Sequence, residues 1–274
     1  MIAFPKAKIN LGLNVLERRS DGFHTIETVM VPIPLSDALE VIVDGTQAEC
    51  SINYTRSGLT VHGDPEQDLC MRAAKILLSE RPFPGLRMHL HKVIPMGAGL
   101  GGGSSDGTQV LLLLNKLLEL DLGFDELHSA ASRLGSDCPF FLMDSAQCVG
   151  GRGEILTPIE LDLSGTWLVL VKPPAHVGTA EVYKNTVPTG HSQDHKAALT
   201  GLPMSEWSNS VVNVMERYVF HAYPEVGKIK ARLQEMGASY ASMSGSGSSV
   251  FGLFESRPPE MTWPVDYAHW MMQL

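Results

Sequence analysis

The sequence predicts an α+β protein of two domains, residues 1–155 and 156–274. Three observations carry this expectation. Stretches with apolar residues at every second position are interleaved with stretches at helical spacing. The 274 residues are more than one typical domain uses. The pattern also resets after Gly150, where "GGRGE" reads as a flexible turn.

Taken in order, "AKINLGLNV" and "LEVIVD" read as strands, and "DLCMRAAKILLSE" (residues 68–80) as a helix. "LRMHLHKVI" alternates Leu86, Met88 and Leu90 with Arg87, His89 and His91, a strand with one apolar face. His89 and His91 share the other face; with no Cys or carboxylate beside them they read as exposed polar residues, not a metal site. A leucine-rich helix is expected from about Ser105 to Leu120, and a second one, "FDELHSAASRL", stops at Gly135. In the second half "TWLVLVKPP" is a buried strand ended by prolines, and residues 187–203 a polar surface loop. Helices follow in "SVVNVMERYVF" and "PEVGKIKARLQEMG", then strand, glycine loop and strand in "YASMSGSGSSVFGLF".

Composition narrows the function. Thirty acidic against 21 basic residues give a net charge of −9, which disfavours an extended nucleic-acid surface but leaves room for a small positive pocket. Cys50, Cys70, Cys138 and Cys148 form no CxxC pair and read as reduced thiols of a cytoplasmic protein. The N-terminus lacks the pattern of a signal peptide. The longest apolar run is broken by Asn115 and Lys116 and is too short for a bilayer. No membrane or nucleic-acid partner is expected, and the oligomeric state is taken as monomer or weak homodimer.

The stretch "PMGAGLGGGSSDG", Pro95 to Gly107, holds six glycines and runs into the leucine-rich helix. Gly97, Gly99 and Gly102 satisfy the dinucleotide pattern GxGxxG, with Glu119 or Asp121 near the distance of a ribose contact. The preceding strand is amphipathic and Pro95 interrupts the turn, so hydride chemistry is disfavoured. A Walker loop needs Gly-Lys-Ser/Thr at the helix start; this one ends Ser104-Ser105-Asp106. A purely structural turn needs one or two glycines, and each further one costs roughly 0.5–1 kcal/mol of chain entropy relative to Ala. Exposed N–H groups at a helix N-terminus, with two serine hydroxyls, make an anion site instead. Phosphate binding is the reading adopted.

Three segments together resemble the GHMP kinases. "PMGAGLGGGSSDG" is similar to their central phosphate motif, "AKINLGLNV" to their first motif and "MSGSGSSVFGLF" to their C-terminal glycine motif, in the family's order. "KINLGLNVLERRSDGFHTIETVM", "LGSDCPFFL" and "GRGEILTPI" resemble the branch whose acceptor alcohol carries cytidine diphosphate. The resemblance implies a ribosomal protein S5 domain 2-like N-terminal ATP-binding domain, a ferredoxin-like C-terminal substrate domain, and one left-handed βαβ crossover. It also implies ATP as phosphoryl donor, held by Pro95, Met96, Gly97, Ala98, Gly99, Leu100, Gly101, Gly102, Gly103, Ser104 and Ser105. Magnesium is implied as the ion bridging the phosphates; its protein ligands are unassigned, with Ser105 a candidate.

By the same resemblance Asp137 is the catalytic base and Lys8 its partner, with Asn10 on the substrate. Read without it, Asp137 would be the N-cap of the next turn and Lys8 a solvated strand residue. Phe23, His24 and Tyr183 match a cytosine pocket, a base stacked between two rings with a histidine at its edge. Two other functions stay open: a GHMP kinase for another small alcohol, and an ATP-binding sensor without turnover. Three departures stand out. Asp68-Leu69 replaces an Asn-Leu pair near the adenine site, "NVME" (Asn213 to Glu216) loses an acidic residue, and Gly107 replaces an alanine and is expected to loosen the helix start.

Overall fold

The computed structural model describes residues 1–79, 81–260 and 262–274. In chain order the first half contains β1 (Ile2–Ala3), β2 (Lys6–Arg18), β3 (His24–Ser36), β4 (Ala38–Val43) and β5 (Ile52–Gly58). Then come α1 (Leu69–Leu78), β6 (Leu86–Lys92), α2 (Gly102–Leu117) and α3 (Phe124–Leu134). The remainder supplies β7 (Gln147–Gly150), β8 (Ile155–Pro158), β9 (Trp167–Lys172), α4 (Thr179–Asn185) and α5 (His195–Gly201). It ends with α6 (Glu216–Ala222), α7 (Pro224–Glu235), β10 (Tyr240–Met243), β11 (Val250–Phe254) and β12 (Ala268–Gln273).

Two compact units result, and they interleave along the chain. Residues 1–7, 35–96 and 101–144 form the first, and residues 8–34, 97–100 and 145–274 the second. This grouping by packing is a different partition from the contiguous one at residue 155. In the first unit the sheet order is β1-β4-β6-β5, with β5 and β6 parallel neighbours joined through α1. Leu86, Met88 and Leu90 of β6 turn into a core completed by Leu77, Val110, Leu111, Leu114 and Leu134. His89 and His91 face outward, where Thr55 Oγ1 lies 2.7 Å from His89 Nδ1 and Ser57 Oγ 2.9 Å from His91 Nδ1.

The second unit holds two sheets. In β2-β3-β7-β8 the pairing of β3 with β7 ends at Met30, so Pro32 and Pro34 fall beyond it and cost no ladder bond there. The other sheet runs β12-β9-β11-β10, all antiparallel. Numbered along the chain this is 4-1-3-2, the order of a ferredoxin-like sheet. Val169, Val171, Ala241, Met243 and Val250 pack there against Val226, Ile229 and Leu233 of α7. No helix among the described residues is long and apolar enough to cross a membrane.

Several expected boundaries move. The helix predicted over 68–80 runs Leu69–Leu78 behind an Asp68 N-cap, and its expected last residue, Glu80, lies outside the described residues. The helix α2 starts three residues early, on the glycines themselves, after Gly101 in a left-handed conformation. The helix expected from Ser210 begins only at Glu216, because Leu13 claims the preceding backbone: Leu13 N–H donates to Val212 O and Val214 N–H to Leu13 O. The expected surface loop 187–203 contains α5, started by Asp194 accepting from Ala197 N–H, and buries His195.

Asn115, which breaks the leucine run, clasps the turn after α2. Its Nδ2 donates to Leu122 O at 3.1 Å and its Oδ1 accepts from Leu122 N–H at 3.0 Å. Asn115→Ala should therefore lower stability by about 1–3 kcal/mol. Urea unfolding should show a lower midpoint with an unchanged slope; an unmoved midpoint would mean the turn holds without the clasp.

Candidate functional site

The glycine loop is held by its carbonyls. Within the second unit Ala98 O accepts from Ser249 N–H at 3.2 Å, and Leu100 O from Lys8 N–H at 2.9 Å. Gly99 O accepts twice, from Lys8 Nζ at 3.0 Å and from Ser244 Oγ at 2.9 Å. In a planar trans peptide the next N–H points opposite to the carbonyl. The N–H groups of Gly99, Leu100 and Gly101 thus face away from these donors, and Gly97, Gly99 and Gly101 take the positive φ that an N–H nest uses at alternate residues. Gly102 then opens α2, whose first N–H groups lack helical partners and whose dipole favours an anion.

At Gly99 the requirement is steric as well: a Cβ there would lie 2.0 Å from the Ser244 carbonyl oxygen, on a backbone with φ +75°. Gly107 has a packing aspect that helix propensity does not describe. A Cβ would meet Leu134 Cδ2 at 2.7 Å and Leu69 O at 3.1 Å, so an alanine here would require the Leu134 side chain to shift.

Beneath the first turn of α2, in the first unit, lies a buried ionic cluster that sequence patterns did not announce. Lys92 Nζ bonds Asp37 Oδ2 and, at 2.6 Å, Asp106 Oδ2. Asp37 Oδ1 also accepts from Val93 N–H at 2.5 Å and Ile94 N–H at 2.8 Å. The end of β6, the β3–β4 junction and α2 are thereby tied to one ammonium group. Burial pushes the Asp106 carboxyl well up against the pull of Lys92. Burial pulls Lys92 down, but Asp106 and Asp37 outweigh it and the ammonium is raised. Asp106 Oδ1 and Ser105 Oγ are buried without a hydrogen-bond partner among the described residues.

Lys8 and Asn10 lie on one face of β2, as their spacing predicts. Lys8 is buried rather than solvated, donating to Asn10 Oδ1 at 2.6 Å. Asn10 Nδ2 in turn donates to Thr28 Oγ1 at 3.0 Å. Asp137 occupies the N-cap position of the short turn Cys138–Leu142, but its side chain makes no capping hydrogen bond there. The turn itself is fixed by Thr108 Oγ1 donating to Cys138 O at 2.9 Å.

In the expected base pocket, the rings in contact are His24 and Tyr183, stacked at 5.1 Å and 27°. That leaves no slot for a base between those two. Burial, then Arg18, lowers the His24 pKa. Phe23 is half exposed, and the guanidinium of Arg152 sits 4.9 Å from its ring centre, a partner no local motif signals. Tyr183 is carried by α4, which Tyr218 anchors by donating to Glu181 Oε1 at 2.6 Å.

Asn213 and Glu216, read from the sequence only as a degraded motif, build the C-terminal glycine loop. Asn213 Nδ2 donates to Met243 O at 2.9 Å and Gly245 O at 2.8 Å. Glu216 Oε1 accepts from Met243 N–H at 2.8 Å and Ser242 Oγ at 3.0 Å, while Lys230 holds its other oxygen at 2.6 Å. Asp68 is engaged structurally, capping Cys70 N–H and accepting from Tyr54 OH, each at 3.0 Å.

Gly99→Ala should unfold the loop locally, destabilising the protein by about 1–3 kcal/mol and abolishing ATP binding. Gly103→Ala is the control, since a Cβ there meets only Leu69 Cδ1 at 3.6 Å. Denaturant unfolding and calorimetric titration of both proteins check this; equal behaviour would refute the steric account.

Known proteins resemble this chain over most of its length. The sequence profile of the GHMP kinases N terminal domain matches residues 68–145, and that of the GHMP kinases C terminal matches residues 193–261. A 4-diphosphocytidyl-2-C-methyl-D-erythritol kinase of Azobacteroides pseudotrichonymphae is 47% identical over 255 residues, 93% of this chain and 94% of its own. That of Bacteroides fragilis is 44% identical over 268 residues, 97% and 96% of the two chains. A crystal structure of 4-(cytidine 5'-diphospho)-2C-methyl-D-erythritol kinase superimposes with a TM-score of 0.79 at 35% identity, over 93% of this chain and 91% of the other. Homoserine kinase from Cytophaga hutchinsonii, at 16% identity and a TM-score of 0.63 over 92% and 85%, shares the fold. With both profiles matched and near-complete coverage at this identity, the chain belongs to the GHMP kinases, in the family of 4-diphosphocytidyl-2-C-methyl-D-erythritol kinases.

Proposed function

We propose that this protein transfers the γ-phosphoryl group of ATP to the 2-hydroxyl of 4-diphosphocytidyl-2-C-methyl-D-erythritol, a step of the non-mevalonate route to isopentenyl diphosphate. The observation that carries the proposal is the loop whose carbonyls are bonded backward and whose N–H groups are left for phosphate. Residues 95–105 hold the triphosphate. Asp137 takes the proton of the acceptor hydroxyl as its oxygen bonds to the γ-phosphorus and ADP leaves. Lys8 keeps positive charge at the transferring group and favours the ionised form of Asp137.

Asn10 orients the acceptor, and Phe23, His24 and Tyr183 receive its cytosine, with Phe23 offering the stacking face. Magnesium, when bound, would neutralise charge on the ATP phosphates. The residues fit it: Ser105 offers a buried, unpartnered hydroxyl oxygen, a hard donor of the kind magnesium accepts beside waters and phosphates.

The test is phosphorus NMR of the protein with ATP, magnesium and the cytidylylated alcohol, run beside Asp137→Asn. A new phosphomonoester resonance is expected, with kcat in the variant lower by about 10²–10⁴-fold and KM little changed. Product formed by the variant at an undiminished rate would remove Asp137 from its role; none from the wild type would remove the substrate assignment. Phe23→Ala should raise KM for the acceptor about 5–100-fold, the value of one base stack, without changing KM for ATP. Steady-state kinetics with each substrate varied would show it, and an unchanged acceptor KM would place the base elsewhere.

A further inference from the structure

The segment after β9 is fastened along the C-terminal glycine loop, inside the second unit. Lys172 Nζ donates to Pro173 O at 2.7 Å and Ala175 O at 3.1 Å. Ser248 Oγ donates to the same Ala175 carbonyl at 2.7 Å, and the hydroxyls of Thr179 and Ser246 lie 3.0 Å apart. Both ends of the stretch 175–179 are therefore held against residues 246–248. Between them, His176 projects to the surface, and none of the described residues hydrogen-bonds its ring. Its Cε1 and Nδ1 come within 3.2 and 3.4 Å of the point a Cβ would occupy on Gly97, the first glycine of the phosphate loop.

An imidazole keeps at least one N–H donor whether neutral or charged. Here that donor is placed at the rim of an N–H nest by a backbone already ordered, so using it costs little further entropy. Lys172, which could have served as a cation, is spent on backbone carbonyls. Local donors matter in a chain of net charge −9, which as a whole repels polyphosphates. We propose that His176 contacts phosphate, its ring N–H donating to a phosphoryl oxygen of a ligand seated on the glycine loop. This rests on the kinase function proposed above. That function offers two phosphate sources, the triphosphate of ATP and the diphosphate of the acceptor.

The experiment measures kcat and both KM values for the wild type, His176→Ala, His176→Phe and His176→Gln, with calorimetric binding of a non-hydrolysable ATP analogue. His176 is exposed, so the variants should fold, and thermal unfolding confirms it. Loss of a hydrogen bond to a charged group predicts a rise of about tenfold or more in one KM for Ala and Phe alike. Gln, which retains N–H donors, should recover part of it. A rise confined to ATP and matched by calorimetry assigns the triphosphate; one confined to the acceptor assigns its diphosphate.

A Phe variant with both KM values at wild-type level would show that the ring only packs on Gly97 and would overturn the proposal. So would a fall in kcat with both KM values unmoved. If the wild type binds the analogue but makes no product, the acceptor assignment fails, while unequal analogue binding by wild type and variants would still establish the contact.

Discussion

The Gly99 carbonyl decides what the glycine loop can do. By accepting from Lys8 Nζ and Ser244 Oγ together it fixes the orientation of one peptide, and the neighbouring bonds to Ala98 O and Leu100 O fix the next ones on either side. Three carbonyls turned inward commit three N–H groups to the other side. Everything that positions those two donors is then part of the site. The β2 strand sets Lys8, and Asn10 and Thr28 steady it. Asn213 and Glu216 shape the loop that presents Ser244. Glycine at position 99 follows from the 2.0 Å a Cβ would leave to Ser244 O.

The second constraint is electrostatic and lies in the other unit. Burying Lys92 with Asp37 and Asp106, each at most 3% exposed by side chain, gains little over an apolar packing of the same volume. What such a cluster supplies is register: an ammonium accepts few alternative arrangements of two carboxylates and two backbone N–H groups, whereas leucines would slide. It joins β6, the β3–β4 junction and α2, so the start of α2 is specified to within hydrogen-bond tolerance. That is the accuracy an anion site at a helix N-terminus needs.

Much of this was legible in the sequence because it was local. The alternation of Leu86, Met88 and Leu90 gave β6, and Gly135 ended α3 where expected. What stayed hidden depended on partners far along the chain. Residues 211–215 carry a helical pattern, yet Leu13 engages the backbone of Val212 and Val214 and the helix starts only at Glu216. Glu216 looked like the remnant of a motif until its carboxylate was seen receiving Met243 N–H and Ser242 Oγ. Arg152 stacks on Phe23 across a separation no periodicity spans. Helix propensity describes Gly107 alone, whereas the space around it is set by Leu134 and Leu69. Propensity describes a residue's own backbone; these positions answer to someone else's.

A net charge of −9 looks unsuited to a protein that gathers a triphosphate and a nucleotide diphosphate. In the proposed function the loop meets this with backbone dipoles, beside the single cation of Lys8. Backbone N–H groups held by inward carbonyl bonds are already oriented before the ligand arrives, and they add no net charge that would hold on to a product. They act at contact range, where the long-range repulsion of scattered surface carboxylates is screened within about 8–10 Å at ordinary ionic strength. The acidic surface and the proposed phosphate site therefore do not compete, because one works through water and the other through hydrogen bonds fixed by Gly99.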